Sequence, residues 1–336
     1  MMFKQLLLLF VVSVLQSSAF ARTFENELKF YIITPKHRLN WQSPRSLAIT
    51  SARNSIGNNY APIGHFAVEV NCAAPISNGV SHVLTGMERY QRGVKAGQEI
   101  IKKKLGMGSV VNYSFQGDLQ SSEESLKDIR KAKRDGRLKE VIIPTSASRC
   151  EAALNFLDSW IQYGSYTVYG GNKDVFNGEG AGCADFALAL FHIATSVEPT
   201  RDIFVSVNIP KKLIGDGKTK AVPFYKVLLA GSWAKDAEND GVTYLTPETH
   251  RVIDFINSNG ISYEHKSIYV RHLKSERLRV MVGVDELIGS LSEMLQLIDQ
   301  QIQILQPYPR TEFKFNYRYH PREAVEKTWA RIRLDK

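Results

Sequence analysis

The stretch GAGCADFALALFHIA, Gly180 to Ala194, constrains the fold more than any other part of the chain. From Cys183 onward Ala184, Phe186, Ala187, Leu188, Leu190, Phe191 and Ile193 leave almost no polar face. A helix apolar all round is stable only when other elements surround it, so this one must run through a core. Gly180, Ala181 and Gly182 lead in without bulk, and Cys183 falls in the first turn. Unpaired backbone N–H groups and the helix dipole there favour a thiolate. The same N–H groups suit the oxyanion of a tetrahedral intermediate. A plain buried cysteine is the competing reading, because free cysteine is among the most buried residue types.

The N-terminus bears on the redox state of that thiol. MMFKQLLLLFVVSVLQSSAFA carries Lys4, an apolar run from Leu6 to Leu15 and the small residues Ala19 and Ala21 around Phe20. This is the pattern of a secretory signal peptide over residues 1–21, cleaved near Ala21. The run is too short to span a bilayer, which takes about 20 residues, and no later segment is long and apolar enough. The expectation is a periplasmic or secreted chain with no transmembrane segment after cleavage. Three cysteines, Cys72, Cys150 and Cys183, leave one unpaired in an oxidising compartment. A Cys72–Cys150 bridge would leave Cys183 free, but the sequence does not choose among the pairings.

Period-two alternation marks strands. ELKFYIIT (27–34) is one, and IGHFAVEV (63–70) places His65, Ala67 and Glu69 on one side, Phe66, Val68 and Val70 on the other. GVSHVLTGM follows a turn at Ser77-Asn78-Gly79, so the two form a hairpin. SVVNYSF, EVIIPTS, DIFVSVNI and FYKVLLA are further strand candidates. Residues 116–140 are heavily charged and weakly helical, and read as an exposed helical excursion with a solvated face. SRCEAALNFLDSWIQYG has Ser148 and Glu151 in capping-box spacing and an apolar helical stripe. Beyond Gly231 the pattern loosens. A helix is expected near 247–258, strands at KSIYVRHL and RLRVMVG, an amphipathic helix from Asp285 to Leu305 and a basic helical tail.

A nucleophilic thiol needs a base, and the base needs something to orient it. His192 lies nine residues along the helix, about 13.5 Å away on the opposite side, and cannot serve. His65 fits better, at the start of a half-buried strand after a turn. His82 on the paired strand is the candidate to hold the other ring nitrogen of His65, with Glu69 as the alternative. His250, His265 and His272 match no ligand spacing, so neither a metal nor another cofactor is expected.

Together these features resemble the circularly permuted papain-like families, the NlpC-type amidases and lecithin:retinol acyltransferase-like enzymes. Gly64, His65 and Phe66 match their strand start. Cys183, Asp185 and Phe186 match their nucleophile. The strand and helix before a Tyr/Asn-rich loop match the approach to it. The resemblance runs from about Tyr60 to Ala194. It implies an α+β fold, with an antiparallel sheet packed on the buried helix that carries the cysteine. The domain would cover 22–230, followed by an α+β C-terminal extension over 231–336. It also implies acyl chemistry. His65 takes the thiol proton, Cys183 attacks a carbonyl, and water or a second nucleophile releases the acyl group.

Cell-wall or other peptide amides are the first substrate expectation, acyl-lipids the second, and a non-catalytic papain-like binding module the third. The formal charge of +9 suits peripheral contact with an anionic surface. Nucleic acid is not expected, because basic and acidic residues alternate and no recognition motif occurs.

Overall fold

The two alternating segments become neighbours at the centre of an antiparallel sheet. The computed structural model describes residues 25–56, 61–90, 94–171, 173–236, 238–259, 261–262 and 322–334. Along the chain run β1 (Glu27–Ile33), α1 (Pro44–Ser55), β2 (His65–Asn71), β3 (His82–Thr85), β4 (Met87–Arg89), α2 (Val94–Lys102), α3 (Gly108–Val111), β5 (Phe115–Leu119) and α4 (Ser122–Arg134). Then come β6 (Leu138–Pro144), α5 (Ala147–Gln162), β7 (Val168–Tyr169), α6 (Cys183–Thr195), β8 (Phe204–Pro210), α7 (Phe224–Leu229), β9 (Gly241–Pro247), α8 (Thr249–Asn259), β10 (Ile261–Ser262) and α9 (Arg322–Ile332).

The main sheet has the order β10-β6-β1-β2-β3, with antiparallel neighbours throughout. Smaller sheets are β4-β5-β7 and β8-β9, so the class is α+β. One face of the main sheet presents Phe30, Val68, Val70 and Val141 to α5 and α6, in a core where Phe186, Leu190, Phe191 and Trp160 are fully buried. Each such side chain contributes about 1.5–3 kcal/mol by leaving water. The opposite face carries Ala67 and Leu84 and is covered by Ile129 of α4. Both sets come from strict alternation, so a one-residue slip would turn each against the wrong layer.

The 116–140 region is therefore not an exposed excursion. It supplies β5 and then α4, whose Ser125, Asp128, Ile129 and Ala132 are buried. Its apolar stripe is narrow, and the charge on the other faces conceals it in the composition. Ser121 and Glu124 form a true capping box there. At α5, by contrast, Ser146 caps the helix rather than Ser148.

SVVNYSF begins in the helical turn α3, with Ser109 to Val111, and reaches β5 only at Phe115. Gly108 packs so closely that a Cβ would lie 1.7 Å from the Gly215 carbonyl oxygen, and tertiary fit overrides the β-branched composition. FYKVLLA is the helix α7, opened by Pro223 at its N-cap, and Val227 is its buried residue.

The described residues after 230 pack against the rest of the chain. β9 pairs with β8 along seven register positions, Val252 and Ile256 of α8 enter the main core, and so do Trp329 and Ile332 of α9. The amphipathic helix expected at Asp285–Leu305, the strands at KSIYVRHL and RLRVMVG, and the leader 1–21 lie outside the described residues. No helix among the described residues is long and apolar enough to cross a membrane.

Candidate active site

Cys72 and Cys150 form a disulfide that ties the end of β2 to α5, and Cys183 is the free cysteine. Cys183 is the first residue of α6 and only 8% exposed. Its N-cap, Gly182, offers no side chain. Asp185, in the third helical position, instead reaches back to the Gly182 N–H. A Cβ at Gly182 would stand 2.8 Å from that carboxylate, so glycine is what lets the carboxylate fold over the helix tip.

The sulfur accepts hydrogen bonds from the Tyr169 hydroxyl, at 3.9 Å, and from the N–H groups of Phe66 and Ala184. Phe66 can donate because β2 has an open edge at this point. Ladder pairing with β3 begins only at Val68, and Gly86, just past β3, lies against the backbone of Phe66 and Ala67. A Cβ at Gly86 would lie 2.4 Å from the Phe66 carbonyl oxygen and 3.3 Å from His65 Nε2.

Burial pushes the Cys183 thiol above its ordinary pKa. The Tyr169 hydrogen bond works against that, and the Asp185 charge adds to it. Burial likewise raises Asp185 to about 6, despite the N–H groups it accepts from. Tyr169 is held well above the usual phenol range by burial first and then by Cys183, so it stays a neutral donor.

His65 opens β2, half-buried, one residue before the amide that meets the sulfur. Its Nε2 lies 2.9 Å from Gln120 Oε1, and Gln120 Nε2 donates to Asp128 Oδ2 at 2.7 Å. The carboxylate fixes which way the amide faces, so Oε1 must accept and His65 Nε2 must carry the proton. In the neutral ring Nδ1 is then the basic nitrogen. Gln120 is fully buried, and its own backbone is pinned by Thr85 Oγ1 at its carbonyl and by the Gly86 carbonyl at its N–H.

Neither proposed orienter of His65 holds it. His82 pairs in register with Asn71, about 20 Å along the strand from His65. Its Nε2 is 2.9 Å from Glu69 Oε1, and Glu69 also binds Tyr31 and Lys29. His82 and Glu69 satisfy each other at the far end of the hairpin because the strand carries them away from the cysteine. His192, as expected, sits at the other end of α6, with Nδ1 3.2 Å from the Val197 carbonyl oxygen. His250 lies beside Glu248, while His265 and His272 are outside the described residues. Among the described residues no cluster of His, Cys, Asp or Glu could hold a metal.

Cys183, His65, Tyr169 and Asp185 line one cavity of about 840 Å³. The rest of its wall is largely apolar, with Trp41, Leu47, Ile100, Met107, Val110 and Phe224 among its residues. No sequence motif marks Gln120, Asp128 or Tyr169 as site residues. Gln120 lies directly before a capping box and carries no motif of its own. Tyr169 had one signal, its place in the loop before the cysteine. Compared with known proteins, the chain matches no family model, no curated protein and no solved structure.

Proposed function

We propose that this protein is a thiol hydrolase of permuted papain-like architecture that works outside the cytoplasm through an acyl-enzyme on Cys183. The observation that carries this reading is the shared cavity wall. A free thiol at a helix tip and a histidine with an imposed tautomer face the same space. His65 Nδ1 takes the thiol proton as the sulfur attacks a carbonyl carbon. The first N–H groups of α6 and the Tyr169 hydroxyl are the donors at hand for the oxyanion. Collapse expels the leaving group with that proton, and water, deprotonated by His65, releases the acid.

The apolar cavity favours an amide or ester whose acyl part is apolar. A cell-wall peptide, dense in carboxylates and amides, would leave many polar groups unpaired against such a wall. Release to a second nucleophile instead of water would make the same site an acyltransferase.

A second reading, a non-catalytic binding module, is favoured by one observation: burial and Asp185 keep the resting thiol protonated. The test is acyl-enzyme trapping with p-nitrophenyl octanoate and p-nitrophenyl acetate. The hydrolase reading expects an octanoyl adduct on the Cys183 peptide that turns over, faster than acetate and lost in His65→Ala. No adduct on Cys183 with either ester, together with an inert thiol toward iodoacetamide at pH 8, supports the binding module.

A further inference from the structure

The mouth of the cavity has a character that its catalytic wall does not explain. Three large apolar side chains that line it also project into solvent: Ile56 is 77% exposed, Ile101 57% and Ile63 49%. A soluble surface seldom gathers such side chains around a single opening without a partner. Directly after Ile101 come Lys102, Lys103 and Lys104, all exposed, before the chain re-enters the cavity wall at Gly106. Backbone bridges from Leu105 to Val222 and from Gly106 to Ile214 bring the loop bearing exposed Lys218 and Lys220 alongside.

Two acidic groups face this cluster. Glu99 is taken up by Lys103 and Arg89, and Asp216 by the N–H groups of residues 218–220. Among the described residues Lys102, Lys104 and Lys218 make no ion pair. Exposed isoleucines with lysines beside them that, among the described residues, make no ion pair are the pattern of a surface that sits in a lipid interface. There, apolar groups enter the acyl boundary and cations meet anionic headgroups.

We propose that the cavity mouth docks on an anionic lipid surface, with Ile56, Ile63 and Ile101 inserted and Lys102, Lys104, Lys218 and Lys220 against the headgroups. Such docking puts the opening where an acyl chain can pass from the bilayer into the cavity without crossing water. The inference stands apart from the catalytic reading, since a binding module would dock in the same way.

The experiment is flotation of the full mature chain with vesicles of phosphatidylcholine alone or with phosphatidylglycerol. Vesicles containing phosphatidylglycerol should retain the protein at low salt, and binding should weaken as salt rises. Lys102→Glu/Lys104→Glu/Lys218→Glu should lower that binding about a hundred-fold, at about five-fold or more per lysine. Its turnover of a short soluble ester should be unchanged. Ile101→Cys should react with a maleimide in solution and become protected on vesicles.

Equal binding to both vesicle types, no effect of the triple variant, or an unreactive Ile101→Cys covered by another part of the chain would overturn the proposal. Running the flotation with Cys183→Ala separates the two readings. Retained binding of Cys183→Ala shows that docking does not need the acyl-enzyme, whereas binding of the chain with Cys183 intact but with no acyl adduct leaves docking standing and removes catalysis.

Discussion

The two ends of the β2–β3 hairpin each hold a histidine on a strand, and they do opposite things with it. At the far end His82 meets the Glu69 carboxylate directly, Tyr31 and Lys29 complete the cluster, and the Cys72–Cys150 bridge closes the strand just beyond. At the near end the pairing of β2 with β3 has stopped, and the His65 ring meets the amide of Gln120, which in turn meets the Asp128 carboxylate. A histidine bonded directly to a carboxylate spends that ring nitrogen on a structural hydrogen bond. One held by the oxygen of a neutral amide has its tautomer set, so the proton sits on the bonded nitrogen and the basicity on the other. The difference lies in which neighbours the strand pairing leaves around each ring.

The comparison breaks most sharply under mutation. Cys183→Ser and His65→Ala should each reduce ester turnover by about a thousand-fold or more, whereas His82→Ala should stay within about three-fold. Steady-state kinetics with p-nitrophenyl octanoate decides, and comparable losses at both histidines would erase the distinction.

The closed end should instead dominate stability. Reducing Cys72–Cys150 should cost on the order of 4 kcal/mol in urea unfolding, given the 78-residue separation. An unchanged midpoint after reduction would argue against that role.

Glu69 contributes through its charge. Burial alone would raise its pKa, but hydrogen bonds from His82 and Tyr31 and the Lys29 charge bring it down to about 2 from 4.5. A lowered carboxyl pKa means stability that is fully present above 4.5 and lost as the pH falls through about 2. Over that window the loss is on the order of 3 kcal/mol, and Glu69→Gln should flatten it in urea midpoints taken at pH 5 and pH 2.5.

Gln120→Ala tests the relay at the open end. Turnover, read well below the lowered melting temperature that an unpaired buried Asp128 brings, should fall about ten- to hundred-fold and the pH–rate profile should move. A profile of unaltered shape would leave Gln120 as packing only. The smallest effect is expected from Asp185→Asn, which removes a charge that opposes the thiolate. The pH midpoint of iodoacetamide labelling at Cys183 should shift downward.

Much of the scaffold is readable along the chain because it rests on local periodicity. Alternation marks β1 and β2, and the uninterrupted apolar run marks α6 as a core helix. Short segments carry too little periodicity to show their state. SVVNYSF and FYKVLLA have strand-like composition, yet the close approach at Gly108 and the proline before Phe224 go with helix over Ser109–Val111 and Phe224–Leu229. Charge hid α4, whose few buried residues include the Asp128 that anchors the relay.

The sequence by itself determined that a cysteine begins a buried helix, that a histidine begins a strand, and that the strand belongs to a hairpin. All three follow from spacing within a few residues. Only the tertiary structure decided that Gln120 holds that histidine while His82 and Glu69 hold each other. That choice depends on where β3 stops pairing with β2, and on which buried side chains from distant segments fill the space it leaves.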